Sequence, residues 1–243
     1  MTLDTPRVKN VTEQSLPEWA RRLAVFDTET TGIATETTRI VQAHVSILDA
    51  SGLPIERRDW LIDCGIDIPE QATRVHGITT ERMRAEGAPA RLSIEEIVDF
   101  LNMIFASGTA VVAYNATYDF TILDREAKRH GLAPLRQPRP IIDPLILDRQ
   151  FDRYRRGPRN LASNAQLYGV VLDNAHDASA DAIAAGRIAQ ALSRKYFEQL
   201  NVPAMQLHEL QETWALEQAA SYRTYRQSIG KPMYDDDDAW PVA

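Results

Sequence analysis

The chain has 243 residues, 44% of them hydrophobic, and a formal charge of −7 from 27 basic and 34 acidic side chains. This supplies one packed domain with extensions and excludes a general nucleic-acid coat protein, though not an enzyme whose contacts depend on local charge or a bound cation. A single cysteine, Cys64, excludes an internal disulfide framework and a thiolate metal cluster; no run approaches about 18 apolar residues and Met1 to Arg22 has no apolar leader, so the expectation is a cytoplasmic protein with no membrane partner.

Residues 1–20 read as a loose N-terminal extension, 21–200 as the main domain, and 201–243 as a helical tail with an acidic end. The first predicted strand, 22–27, runs through Leu23-Ala24-Val25-Phe26 into Asp27-Thr28-Glu29-Thr30-Thr31-Gly32. Residues i and i+2 of a strand share a face, so Asp27 and Glu29 point the same way at its end. Two neighbouring carboxylates repel unless a cation lies between them, and Mg²⁺ or Mn²⁺ favours such an all-oxygen site. The bland reading is a polar turn bent at Gly32. Asp124 and Glu126 repeat the pattern, but in a helical stretch where i and i+2 diverge.

Strands over 39–48 and 55–62 form a hairpin about Ser51-Gly52. His44 and Asp49 lie five apart on the first of these, on opposite faces, so His44 reads as a sheet residue. A helix over Ser93 to Ala106 follows, with Ser93 and Glu96 as a capping box and Ile94, Ile97, Leu101 and Ile104 as its apolar stripe. Ala110 to Ala113 is a short buried strand ending at Tyr114-Asn115. The helix from Asp119 to His130, closed by Gly131, puts Asp119 on the inward face with Leu123 and Ala127. Its carboxylate is then either an ordinary N-cap or an anionic group at an inward helix N-terminus.

Ile141-Ile142 is the last predicted strand. Arg149, Arg153, Arg155, Arg156 and Arg159 form a basic run opposed only by Asp152, either a solvated helix end or a phosphate-contacting edge. A helix over Arg159 to Tyr168 ends at Gly169, and a long helix spans Ala178 to Leu200. Asp181 lies on that helix's inward stripe with Ala185, Ile188, Leu192 and Tyr196, and an inward acid needs a partner. His176, in the loop feeding the helix, has the near-neutral titration of a general base. In the tail, Leu207, Leu210, Trp214, Tyr222, Tyr225 and Ile229 lie near helical spacing before Gly230-Lys231-Pro232. That stripe either packs on the domain or docks a polymerase or a second copy through 204–229. Asp235 to Asp238 form an acidic run that would repel DNA.

Strand-end Asp-x-Glu, an Asp after a second strand, then His and Asp opening a last helix form an ordered set. Asp27-Thr28-Glu29-Thr30-Thr31-Gly32, Asn115-Ala116-Thr117-Tyr118-Asp119, and His176 with Asp181 resemble the three motifs of the DEDDh-type, DnaQ-like 3′→5′ exonuclease family, which includes the proofreading epsilon subunit of bacterial DNA polymerase III. Val75-His76-Gly77-Ile78-Thr79 and Arg159-Asn160-Leu161 through Leu167-Tyr168-Gly169-Val170 are also similar to family segments, over roughly residues 21–195 in all. The resemblance implies an α/β, RNase H-like fold with a five-stranded mixed sheet flanked by helices, here with a C-terminal helical extension. It implies two divalent cations, Mg²⁺ or Mn²⁺, on Asp27, Glu29, Asp119 and Asp181, with Asp27 bridging. It implies His176 as the base, Thr30, Thr31 and His76 against the terminal nucleotide, and Asn115 behind Asp119 or its loop. The implied activity is hydrolysis at the 3′ end of single-stranded DNA or RNA, releasing nucleoside 5′-monophosphates. Competing readings are an RNA-trimming enzyme of the same family, a non-catalytic nucleic-acid- or polymerase-binding module, and a haloacid-dehalogenase-type phosphatase. The last needs an Asp where Glu29 stands.

Overall fold

The computed structural model of the protein describes residues 16–172, 177–231 and 239–243. The elements are α1 (Glu18–Arg21), β1 (Leu23–Thr30), β2 (Ile40–Leu48), β3 (Pro54–Asp63), α2 (Glu70–His76), α3 (Thr80–Glu86), β4 (Ala88–Pro89) and α4 (Ala90–Ala106). Then come β5 (Val111–Val112), α5 (Ala116–Arg129), β6 (Ile141–Ile142), α6 (Pro144–Phe151), α7 (Leu161–Tyr168), α8 (Ala178–Lys195), α9 (Phe197–Leu200) and α10 (Ala204–Ser228). They form one mixed sheet in the order β4-β3-β2-β1-β5-β6 with helices on both faces, the expected α/β architecture. The sheet has six strands rather than five. The additional one, Ala88–Pro89, pairs with Ile62 and Asp63 at the edge of β3.

The alternation along β1 divides the core in two. Ala24 and Phe26 join Ile94, Leu101, Phe120 and Leu123, the layer made by α4 and α5. Leu23 and Val25 join Ala182, Ala185, Ile188 and Leu192 of α8. β2 runs antiparallel to β1, whereas β5 and β6 run parallel to it, so β1, β5 and β6 all end at the same rim.

Several local expectations change. Residues 16–20 are not loose: Leu16, Trp19 and Ala20 are buried under α8, and Trp19 Nε1 donates to Leu200 O at 3.0 Å. The Ser93–Glu96 capping box does not form. Pro89 of β4 starts α4 one turn earlier, Ser93 is buried inside the helix, and Glu96 instead accepts the Trp60 indole N–H at 3.0 Å. The long last helix stops at Lys195 and restarts as α9.

The tail helix packs on the domain along one face, most closely in its first half, and farther on Gln218 Nε2 still donates to Ile146 O at 3.1 Å. Leu207, His208 and Gln211 are buried, while Tyr222, Tyr225 and Ile229 are exposed. Its side chains replace a missing strand at the edge of β6. The Ile141 N–H donates to His208 Nδ1 at 3.1 Å, Gln211 Nε2 donates to Ile141 O at 3.0 Å, and the Asp143 N–H donates to Gln211 Oε1 at 2.7 Å. Strand-edge groups that would otherwise be buried unpaired are thus satisfied.

α8 lies unusually close to the sheet because its facing residues are small. A Cβ at Gly186 would stand 2.5 Å from Val25 Cγ1 and 2.6 Å from Leu48 Cδ1. Gly186→Val should therefore cost about 1–3 kcal/mol through overpacking, in spite of Val's better helix propensity. Urea unfolding should show this as a lower midpoint with an unchanged slope. An unchanged midpoint would mean that α8 can lift off the sheet freely.

Candidate active site

The site grows from the mismatch in length between β1 and β5. Their parallel ladder runs only through Ala24 and Val25, and β1 continues to Thr30. Asp27 and Glu29 therefore lie within β1, beyond the reach of β5, and project toward α8. Asp181, in the first turn of α8, meets them there, and the ligand oxygens of Asp27, Glu29 and Asp181 lie within 4.8 Å of one another.

Asp119 comes from the other face. It is buried in the first turns of α5, and its Oδ1 accepts both the Thr28 backbone N–H at 3.0 Å and the Thr28 hydroxyl at 2.6 Å. The carboxylate thereby occupies the edge of β1 that β5 leaves open, between the two positions carrying Asp27 and Glu29.

This crowding shows in the acidities. Burial, then the charges of Asp119, Glu29, Asp181 and Asp177, hold the Asp27 carboxyl well above the usual carboxylate range. Burial and then Asp181, Asp119 and Asp177 push Glu29 up to about 8. Burial raises Asp119 to about 7 against the opposing pull of its Thr28 hydrogen bonds. Like charges at this spacing favour a proton or a cation among them. An all-carboxylate donor set fits a hard divalent ion.

The expected substrate contacts have structural partners. Thr30 Oγ1 hydrogen-bonds Gly32 O at 2.8 Å and the Tyr118 hydroxyl at 2.6 Å, and Thr31 Oγ1 accepts the Arg39 N–H at 3.0 Å. The Thr30 hydroxyl holds the loop after β1 against α5, and the Thr31 hydroxyl ties the loop to its own far end before β2. His76 ends α2, where its Nδ1 accepts the Ile78 N–H at 3.1 Å. Asn115 is exposed, adopts a left-handed conformation with φ 62°, and caps α5 without a side-chain hydrogen bond. His176 and Asp235 to Asp238 lie outside the described residues.

Two neighbours escape the sequence reading. Asp143 is buried after β6 and clamps the turn that launches α5: Oδ1 accepts the Asn115 N–H at 3.0 Å and Oδ2 the Ala116 N–H at 2.9 Å. The signal was available in Asp143-Pro144, an N-cap followed by Pro at the first helical position. His44 is the cross-strand partner of Asp27 and so shares its face. It is fully buried, held between Asp59 at 2.7 Å and the Ser46 hydroxyl at 2.8 Å, and burial lowers its pKa. Only the strand register reveals that adjacency.

The basic run also resolves. Arg155 and Arg159 turn inward onto the buried carboxylate of Asp148 at 2.6 and 2.5 Å, and Tyr168 adds its hydroxyl at 2.7 Å. Arg149, Arg153 and Arg156 remain exposed.

Comparison with known proteins agrees with this geometry. The RNase_T family model, described as "Exonuclease", matches residues 24–189. The PolC-type DNA polymerase III of Streptococcus thermophilus is 30% identical over 175 residues, which is 72% of this chain and 11% of that protein. The PolC-type polymerase of Lacticaseibacillus paracasei is 31% identical over 172 residues, 70% of this chain and 11% of that one. The chain thus spans about a tenth of the length of these curated relatives. Among solved structures, E. coli exonuclease I in complex with a dT13 oligonucleotide superposes with a TM-score of 0.61 at 20% identity, over 73% of this chain and 43% of that one. A moderately thermophilic exonuclease I from Methylocaldum szegediense gives 0.60 at 22% identity, over 74% and 42%. No helix among the described residues is long and apolar enough to cross a membrane. With its motif carboxylates gathered at one strand end and the family match running from β1 through most of α8, the chain belongs to the DnaQ-like exonuclease family.

Proposed function

We propose that the protein is a metal-dependent 3′→5′ exonuclease that removes nucleoside 5′-monophosphates from the 3′ end of DNA. The observation that carries this reading is the convergence of Asp27, Glu29 and Asp181 within 4.8 Å in a chain of the exonuclease family. Asp119 stands at the same strand end. These four carboxylates would hold divalent cations, Mg²⁺ or Mn²⁺. When bound, such ions make water a nucleophile near neutral pH and neutralise charge on the phosphate and the leaving oxygen.

The chain's own residues supply the rest. Asp177 caps α8, accepting the Ser179 N–H at 3.0 Å, and fixes the helix start that presents Asp181. His176, the residue before that cap, takes the proton from the attacking water. The Thr30–Tyr118–Gly32 hydrogen bonds hold the loop that flanks the terminal nucleotide, whose other contacts are Thr31, His76 and Asn115. That the curated relatives are DNA polymerases supports DNA over RNA, and polymerase association remains a proposal for 204–229.

Asp27→Asn or Asp181→Asn should reduce hydrolysis of a 5′-labelled oligonucleotide to below about a tenth of the wild-type rate, since each removes a ligand. Neither should lower the melting temperature in EDTA, because the charge removed is one that repels its neighbours. Retained activity would contradict the assignment. His176→Ala should lose about 10²–10⁴ in kcat, the usual contribution of a general base. Normal turnover across pH 6–9 would remove that role.

Proton linkage gives a further expectation. The folded-state pKa values of Asp27, Glu29 and Asp119 are raised, so between the unfolded value near 4 and the folded values near 7 and 8 the folded protein binds more protons. Stability from this cluster is greatest at low pH and falls as pH rises through that window. A cation replaces the protons, so its stabilising effect grows with pH. Calorimetry in EDTA and in Mn²⁺ should show a larger cation-induced rise in melting temperature at pH 8.5 than at pH 5.5. An equal rise at both would contradict binding at these carboxylates.

A further inference from the structure

The common rim of the parallel strands continues past the carboxylates. Asp27 and Glu29 lie at the end of β1, Asn115 follows β5, and Asp143 follows β6. Beyond them, between α6 and the second half of α10, with Ala239 and Trp240 closing one side of the first, lie two adjoining cavities of about 530 and 270 Å³ that share Arg149, Gln218 and Tyr222. The first begins at Asn115 and Thr117, on the first turn of the helix that carries Asp119. The four steps from Asn115 to Asp119 rise only about 6 Å. The second ends at Arg153 and Tyr225.

The chemistry of this groove differs from the rest of an acidic protein. Arg149 and Arg153 are exposed and make no ion pair among the described residues, whereas Arg155 and Arg159 are spent on Asp148. Tyr222 and Tyr225 are 54% and 58% exposed, although they lie on a helix that buries Leu207, His208 and Gln211 in its first half. Their spacing of three residues puts both on one side of α10. Glu217 is the acid on the outer part of the lining; Asp143, on the inner part, is already taken by backbone N–H donors. Cationic side chains interleaved with exposed aromatic rings are the features by which proteins track a single strand without reading its sequence, the cations on phosphates and the rings on bases. Arg149 and Arg153 lie within the matched segment 24–189, whereas α10 lies wholly outside it.

We propose that the groove between α6 and α10 holds the single-stranded DNA that lies 5′ of the terminal nucleotide, with Arg149 and Arg153 on phosphates and Tyr222 and Tyr225 stacked on bases. This rests on the exonuclease reading for the direction of the strand, but binding can be measured without hydrolysis. The test uses the full chain in EDTA with 5′-fluorescent oligothymidylates of three and twelve nucleotides. The wild type binds the longer one at least about tenfold more tightly. Arg149→Gln with Arg153→Gln removes most of that preference and lowers the salt slope of log K by about 1.4, two phosphates at about 0.7 each. Tyr222→Ala with Tyr225→Ala weakens the longer ligand about tenfold or more, and Phe at both positions restores it. Affinity for the shorter ligand and hydrolysis of a p-nitrophenyl ester of thymidine monophosphate stay within about twofold in all variants. A wild type with no length preference, unchanged affinity in both double variants, or equal losses on the two lengths would overturn the groove. Absence of hydrolysis with any divalent cation would instead overturn the exonuclease reading and leave the length preference to judge the groove by itself.

Discussion

The close approach of α8 to the sheet is the constraint on which the site depends. Ala178, Ala182, Ala185 and Ala189 are buried, and Gly186 has no room for a side chain over Val25 and Leu48. Larger residues would set the helix farther out, because helix-to-sheet spacing follows the side chains between them. Then Asp181 would stand away from Asp27 and Glu29. Apolar packing along the rest of α8 therefore enforces a contact that electrostatics opposes. The core supplies the stability, and the strand end uses part of it to keep carboxylates together, a local conflict of the kind found at functional sites.

The second carboxylate arm depends on a missing ladder. Because β5 pairs with β1 only at Ala24 and Val25, the Thr28 N–H is left to find its acceptor in Asp119. That arm is secured from a distance. Gln211 of the tail helix bonds the Asp143 N–H, Asp143 clamps the Asn115 and Ala116 N–H groups, and these open the helix that presents Asp119. α10 is thus tied by successive hydrogen bonds to a site built from segments far earlier in the chain. Its first half completes the edge of the sheet, which explains why its buried side chains, Leu207, His208 and Gln211, all lie there.

Period and order made much of this legible before any coordinates. The two-residue period of β1 put Asp27 and Glu29 on one face, and the stripe Asp181, Ala185, Ile188, Leu192 faced them correctly because helix periodicity is a local property. The helices Glu70–His76, Thr80–Glu86 and Pro144–Phe151 were missed. Glu70–His76 and Thr80–Glu86 bury almost nothing, so their apolar spacing is too sparse to read, whereas Pro144–Phe151 is buried through Pro144 to Asp148 but too short for a helical period to be told from a buried strand. The capping box at Ser93 and Glu96 failed because a long-range indole hydrogen bond and an upstream proline outweighed a local motif worth about 1 kcal/mol. Gly186, Asp143 and His44 matter through what lies across from them, and pairing partners are absent from a one-dimensional pattern. Asp148 is the same lesson in charge: in sequence the arginine run seems opposed by Asp152 alone, whereas in space a buried carboxylate takes two of its members.

That division of the arginines bears on how an anionic polymer can reach an acidic site at all. The chain carries a formal charge of −7, and its candidate site adds a concentration of carboxylates at the place where the phosphate of the proposed substrate would arrive. Protons resolve this only in part near pH 8, where Glu29, pushed up to about 8, is about half ionised. Cations among the carboxylates would reverse the local sign, but only within about a Debye length, roughly 8 Å at physiological salt. Farther along the strand, attraction has to come from fixed side chains. Arg155 and Arg159 face inward and serve the fold, whereas Arg149 and Arg153 stay at the surface beside the groove. For the proposed exonuclease, exposed positive charge beside the groove would guide a strand end to the carboxylates in spite of the net charge.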